Sequence, residues 1–123
     1  MEGMERKAFE ALAHRAIRDL PEEFREKLEN VVVIIEDEPS DELLDSMEVP
    51  PEDTLFGLYD GVPITERGFD SPLYPDRIYI FQKPIEDECA TEEELVAEIQ
   101  TTIIHEVAHF FGLDDDYLHD LGY

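Results

Sequence analysis

The sequence predicts an α+β domain in which a small sheet packs on one long helix, with further helices at the N-terminus. Three observations support this prediction. Apolar residues recur at helical spacing over residues 4–19, and again over about 20 residues near the C-terminus. Three short segments between them, at 31–35, 55–59 and 77–82, carry the β-branched or alternating residues that are typical of strands. The order helix, helix, strand, strand, strand, helix is typical of an α+β domain.

The first segment, residues 4–19, is predicted to be an amphipathic helix because one apolar stripe runs along it. The stripe consists of Phe9, Leu12, Ala13, Ala16, Ile17 and Leu20. Pro21 ends this helix or opens a second short one at 22–29. Residues 31–35, VVVII, contain no polar residue, which predicts an interior strand covered on both faces.

The middle of the chain is predicted to consist of short elements separated by turns, because Pro and Gly recur through it. The predicted order is one helical turn at 40–44, a loop at 48–53, a strand at 55–59, a turn at Asp60-Gly61, a long loop at 62–76 and a strand at 77–82. Lys83-Pro84 ends this strand, and residues 85–90 lead into the capping box of the long helix.

The long helix follows this connection and carries the strongest pattern in the chain. Thr91 and Glu94 form a capping-box sequence, in which each side chain satisfies a free backbone N–H at the start of a helix. Gly112 then supplies the usual left-handed stop. A helix of about 20 residues is roughly 30 Å long at 1.5 Å per residue. Its apolar residues at helical spacing are Leu95, Val96, Ile99, Ile103, Val107 and Phe110.

The last two turns of this helix contain His105-Glu106-Val107-Ala108-His109, a HExxH sequence. Residues four apart lie one above the other on a helix, so two imidazoles at this spacing can reach one metal ion. Glu106 lies about 100° round the helix, where a carboxylate can take a proton from water that the metal activates. A third ligand must come from beyond the helix, and Asp115 follows Gly112 by three residues.

A purely structural interpretation of this pattern is that two histidines four apart are simply neighbours on a helix surface. The glycine and the acidic residue that follow at ligand spacing favour a metal site. A catalytic zinc is favoured over a structural one, because three ligands and a general base leave a coordination position open.

The composition limits the number of domains and the cellular locations that are expected for this chain. The chain has 123 residues, of which 42% are apolar, so a single domain spanning 1–123 is expected. No apolar run is long enough to span a membrane, and the N-terminus lacks the apolar core of a signal peptide. Cys89 is the single cysteine, which excludes an intrachain disulfide and fits a cytoplasmic location.

The formal net charge is −24, from 33 acidic and 9 basic side chains. Such a surface repels phosphate backbones, so nucleic acid is not expected as a ligand. Cationic partners are favoured, although a surface of this charge is also explained by solubility alone.

The motif HEVAHFFGLDDD, with LYDGVPITERG and PDRIYIF upstream, resembles the small bacterial zincin-like proteins described as minimal metallopeptidases. The resemblance covers residues 21–121 and implies a zincin-type α+β fold with one zinc ion on the long helix. It implies His105, His109 and Asp115 as metal ligands and Glu106 as the catalytic base. The pattern is also similar to the metzincins, whose third ligand is usually His, and to the snapalysin-type peptidases, whose third ligand is Asp. No methionine follows Asp115, so the methionine turn of those enzymes is not expected.

The function predicted from these residues is zinc-dependent hydrolysis of a peptide or protein substrate, with Glu106 as general base. One alternative is a metal-dependent endoribonuclease of the bacterial rRNA-maturation type, which uses three histidines and lacks Glu at this position. Another is a non-catalytic metal-binding module. The oligomeric state is left open. So is the donor that assists the metal in stabilising an oxyanion, for which the candidates are Tyr117, His119, Arg67 and Tyr59.

Overall fold

A three-stranded sheet and a 20-residue helix form the centre of the fold in the computed structural model, which describes residues 3–50, 54–61 and 76–122. The predicted α+β class is confirmed. In chain order the elements are α1 (Arg6–Arg18), α2 (Glu22–Lys27), β1 (Val31–Glu36), α3 (Asp41–Ser46), β2 (Gly57–Asp60), β3 (Asp76–Phe81), α4 (Gln82–Glu88), α5 (Glu92–Phe111) and α6 (Asp115–Asp120). The predicted long loop lies, except for its last residue, Asp76, outside the described residues.

The sheet is mixed, with the order β1-β3-β2. Strand β1 runs parallel to β3, and β2 runs antiparallel to it. The central strand contributes Ile78 and Ile80 to the core, and neither side chain is exposed. Because side chains alternate across a strand, the residues between them lie on the opposite face of the sheet.

The prediction that β1 is an interior strand covered on both faces is wrong. Among the described strands β1 lies at an edge of the sheet. Val33 and Ile35 pack against the core, whereas Val32 on the other face is 44% exposed. A run of β-branched residues indicates that the segment forms a strand, but it does not determine whether both faces of that strand are buried.

Helix α4 was not predicted, because Lys83-Pro84 was interpreted as the end of the third strand and residues 85–90 as the connection into the long helix. Pro84 is the third residue of this helix, where the backbone N–H has no intrahelical partner and its loss is harmless. One polar contact within the helix and one from α1 stabilise it. Gln82 Nε2 donates to Glu86 Oε1 at 2.7 Å, and Arg6 Nε donates to Gln82 Oε1 at 2.9 Å.

The core lies between α5, α1 and one face of the sheet. Five of the six apolar residues predicted for the α5 stripe are buried, and Phe110 is the exception at 38% exposure. Phe9, Ala13 and Ala16 are the buried residues of α1, and they belong to the same cluster. No helix within the described ranges is long and apolar enough to cross a membrane.

Strand β2 lies in close contact with α5. A Cβ atom placed on Gly57 would be 2.7 Å from Thr102 Cγ2 and 2.8 Å from the backbone oxygen of Tyr79. A Cβ on Gly61 would be 2.8 Å from the ring of Phe110. Since Thr102 and Phe110 are eight residues apart on one side of the helix, β2 runs alongside the last turns of α5. A residue without a side chain at position 57 lets this strand approach the helix.

Replacing Gly57 with alanine is therefore expected to lower the free energy of unfolding by about 1–3 kcal/mol, the usual cost of overpacking. The backbone oxygen of Tyr79 cannot move out of the way without disturbing the β2–β3 pairing. Urea denaturation measures the loss. Gly61→Ala is the matched control and should cost less, because its new methyl group meets side-chain atoms of Phe110 and Tyr59. Equal costs at the two positions would contradict this account.

Candidate metal centre

The C-terminal end of α5 is defined by Gly112 and returns the chain towards the helix. Gly112 has φ 72°, the left-handed conformation that glycine adopts without strain. The N–H of Leu113 donates to the carbonyl of Ala108 at 2.8 Å, which closes the helix end. Helix α6 begins two residues later, where the side chain of Asp114 accepts from the N–H of Tyr117 at 2.7 Å. The sequence-predicted stop is confirmed, and the expected helical turn after it is a six-residue helix.

At the start of α5 the Thr91 hydroxyl accepts from the N–H of Glu94 at 3.1 Å, as the capping box predicts. The Glu94 carboxylate accepts instead from the N–H of Ala90, at 2.7 Å, one residue before the cap. The three glutamates of the first turn also lie at the positive end of the helix dipole, which stabilises them there. The helix is thus held firmly at its far end, well away from the histidines.

The two histidines lie next to each other on one side of α5, and both are exposed. They border a cavity of about 270 Å³ that also touches the segment after the helix. The lining residues are His105, Glu106, Ala108, His109, Leu113 and Leu118. Leu118 is buried, so α6 packs back beside the histidines and does not extend away from them.

Glu106 is half-buried in the wall of this cavity. Burial raises the pKa of its carboxyl group, whereas a hydrogen bond from the backbone N–H of Tyr59 and the charges of the two histidines act in the opposite direction. The N–H of Phe81 donates to the carbonyl of Phe56 at 2.9 Å, so the alternating pattern of an antiparallel pair turns the N–H of Tyr59 away from β3. The edge of β2 that faces away from β3 therefore lies towards the Glu106 carboxylate.

The contact between Tyr59 and Glu106 was not predicted from the sequence. The only signal for it is the pair of glycines at 57 and 61, because glycine inside or beside a strand often marks close backbone approach. Tyr59 is itself held in place, since its hydroxyl donates to Asp76 Oδ2 at 2.7 Å. Its ring stacks on Phe110, with 4.1 Å between ring centroids and 23° between the ring planes.

The remaining sequence-predicted residues fall into two groups. Asp115 is the first residue of α6, and its side chain, like all of Arg67, lies outside the described part of the structure. The hydroxyl of Tyr117 is engaged with the carboxylate of Glu23, which raises the pKa of Tyr117. His119 is exposed on α6. Tyr59 interacts with Glu106 through its backbone N–H, whereas its hydroxyl donates to Asp76.

The described side chains supply two possible ligands for a divalent metal ion, the imidazoles of His105 and His109, which are only part of a coordination shell. Among the described side chains no group of three His, Cys, Asp or Glu residues is placed to hold a metal. Two exposed imidazoles four residues apart do have the chemistry and spacing that zinc uses on a helix. The position of the Asp115 backbone, between Leu113 and Leu118 of the cavity wall, is consistent with a third ligand from α6. That assignment stays a prediction.

A small sheet packed on a helix that carries two histidines and a glutamate defines a zincin-type fold. The family model described as Zincin-like metallopeptidase matches residues 28–123, and the chain belongs to this family. A conserved hypothetical protein from Thermus thermophilus has a similar structure, with a TM-score of 0.57 and 23% sequence identity. The match covers 88% of this chain and 94% of that chain, and it supports the fold alone. No curated protein matches the sequence.

Family membership confirms the predicted resemblance and indicates a metal-dependent peptidase. A divalent metal, typically zinc, and peptide substrates follow at the level of the family. The ligands, the catalytic base and the cytoplasmic location are not determined by this membership, and they stay predictions.

Removing the metal is expected to lower the melting temperature of the protein without unfolding it. The buried face of α5 and the caps of α5 and α6 are complete without an ion, unlike the core of a zinc finger. At free zinc about 100 times Kd, binding adds about 2.7 kcal/mol, or roughly 10 °C for a domain of this size. Thermal melts and far-ultraviolet circular dichroism with and without a chelator measure both quantities. His105→Ala should melt at one temperature in both conditions, and an unfolded spectrum for the metal-free wild type would contradict the prediction.

Proposed function

We propose that this protein is a zinc-dependent peptidase in which His105, His109 and Asp115 hold one zinc ion and Glu106 is the general base. The observation that supports this most strongly is the position of Glu106. Its half-buried side chain borders the same cavity as the two exposed histidines, and the backbone N–H of Tyr59 in β2 faces it. Family membership supports the reaction class.

When bound, zinc supplies Lewis-acid polarisation and makes water a nucleophile near neutral pH, by lowering its pKa from 15.7 to about 7. The residues of the chain supply the proton transfers. A carboxylate has about four acceptor positions, so the N–H of Tyr59 occupies one and leaves others directed into the cavity. Glu106 takes a proton from the attacking water there and returns it to the leaving amine of the substrate.

The placement of β2 suggests how a peptide is held. This strand is at an edge of the sheet among the described strands, and the edge that faces away from β3 passes Glu106. Zincins generally bind an extended peptide as an added strand, through backbone hydrogen bonds. A peptide lying along β2 brings its backbone to the carboxylate and to the histidines beyond it. The net charge of −24 favours peptides that carry basic residues, and salt should reduce that preference.

The proposal is tested by incubating a diverse peptide library with the purified protein in three states: zinc-loaded, chelated, and chelated with zinc returned. Mass spectrometry identifies cleaved bonds. We expect cleavage of extended peptides in the first and third states and none in the second. If the zinc-loaded protein cleaves nothing beyond the chelated background, the peptidase proposal fails and a non-catalytic metal-binding module replaces it.

A further inference from the structure

A second cleft lies on the other face of the sheet from the candidate metal centre. It is a cavity of about 370 Å³ lined by Glu36, Glu38, Ser40, Leu43, Leu58, Asp60, Tyr79 and Phe81. Gly57 and Tyr59 face α5, so the alternation along β2 places Leu58 and Asp60 on the opposite face. Ile78 and Ile80 enter the core in the same way, which turns Tyr79 and Phe81 towards the cleft.

The floor of this cleft is apolar and its rim is acidic. Leu58, Tyr79 and Leu43 of α3 are partly exposed and supply the apolar surface, whereas Phe81 is buried at 3% exposure. The carboxylates of Glu36, Glu38 and Asp60 form neither an ion pair nor a side-chain hydrogen bond with the described residues. The ion pairs among the described residues are Arg6–Asp37 and Arg18–Asp19. Arg77, the cross-strand neighbour of Asp60, is exposed and forms no ion pair with it.

The cleft continues past the start of α3. An adjoining cavity of about 350 Å³ shares Glu38 and Ser40 with it and adds the carboxylate of Asp41 and the side chain of Leu44. The two cavities together form a groove in which apolar contacts alternate with carboxylates that no cation of the described chain neutralises. The volume of each cavity lies within the range of about 300–1,000 Å³ that is usual for ligand pockets.

We propose that this groove, named here the acidic groove, binds a cationic peptide segment of another protein. One apolar side chain of the segment lies on the floor against Leu58 and Tyr79, and flanking lysine or arginine side chains reach the carboxylates of the rim. Complementary charge favours this occupant over an acidic or a neutral segment. The apolar floor adds a contact for an uncharged side chain to the attraction that the acidic rim exerts on cations. Binding here is independent of the metal, because the sheet separates the groove from Glu106.

The test uses a fluorescently labelled, end-capped peptide with one phenylalanine between two pairs of lysines. Fluorescence anisotropy measures its Kd for the full chain carrying Glu106→Gln, so that cleavage cannot interfere. The triple variant Glu36→Gln/Glu38→Gln/Asp60→Asn should weaken binding about tenfold or more, as expected for three lost charge pairs at a partly desolvated rim. The matched control Glu26→Gln/Glu29→Gln/Glu93→Gln removes the same charge from exposed positions elsewhere and should change Kd less than about twofold.

Two further peptides separate the apolar contribution from the electrostatic one. Replacing the phenylalanine with glycine should weaken binding about tenfold, because the peptide then loses one large apolar side chain that is partly buried on binding. Replacing the lysines with glutamates should abolish it. Chelated and zinc-loaded protein should give the same Kd.

Several outcomes would overturn the proposal. Equal losses in the groove variant and the control variant would mean that net charge alone attracts the peptide, and so would equal binding of the phenylalanine and glycine peptides. A Kd that depends on zinc would place the peptide at the metal centre. Absence of peptide binding, together with self-association that the groove variant abolishes, would make a second copy of the chain the occupant.

Discussion

Replacing Glu106 with glutamine is expected to lower peptide hydrolysis by about 10²–10⁴-fold, the usual contribution of a general base. Glutamine has nearly the same shape, and its carbonyl oxygen still accepts the hydrogen bond from the N–H of Tyr59. It has no basic carboxylate to receive a proton from water. Because Glu106 lies beside the histidines and is not an expected ligand, zinc content and melting temperature should stay close to wild type.

The measurement is kcat/KM on a peptide that the wild-type enzyme cleaves, together with the zinc content and melting temperature of the same samples. Glu93→Gln is the matched control. It makes the same chemical change on the same helix, at an exposed position in the first turn and away from the cavity, and should retain full activity. A Glu106→Gln enzyme that retains most of the wild-type rate would remove Glu106 from the mechanism while leaving the metal site intact.

The parts of the fold that the sequence could predict are those defined by local rules. The periodic apolar residues of α5, its Thr91 cap and its Gly112 stop gave both ends of the helix, because each acts within about one helical turn. The two errors have different physical causes. Helix α4 is seven residues long, too short to show a period, and Lys83-Pro84 was interpreted as the end of the preceding strand, although the first turn of a helix tolerates proline. The β1 run contains no information about which of its faces is covered.

The candidate site also combines a feature that local rules predict with a contact between distant segments that they do not. His105 and His109 are paired by helix geometry alone, so the sequence places them correctly relative to each other. The approach of β2 to Glu106 depends on strand pairing between distant segments, and the sequence offered only Gly57 and Gly61 as indirect signals. The acidic groove was likewise not predicted, because it requires three strands and α3 to come together on one face.

The structure also changes how the ligand assignment should be tested. Asp114, Asp115 and Asp116 are consecutive, and the sequence spacing favours Asp115. In the structure Asp114 caps α6, so replacing it with alanine would cost about 1 kcal/mol through the lost cap and disturb the whole C-terminal segment. Asparagine caps a helix as well as aspartate does. Asp114→Asn therefore removes the charge and keeps the helix, which makes it the appropriate control.

We expect His105→Ala or His109→Ala to abolish stoichiometric zinc binding, and Asp115→Ala to weaken it by more than about 100-fold, since even changes in residues that only support ligands cost about 10–100-fold. Asp114→Asn and Asp116→Ala should bind one zinc ion with wild-type affinity. Zinc content after dialysis and competition with a chromogenic chelator measure both effects, and circular dichroism verifies that each variant is folded. If Asp114→Asn or Asp116→Ala loses zinc while Asp115→Ala keeps it, the third ligand is a different aspartate, and α6 must present another of its first residues to the histidines.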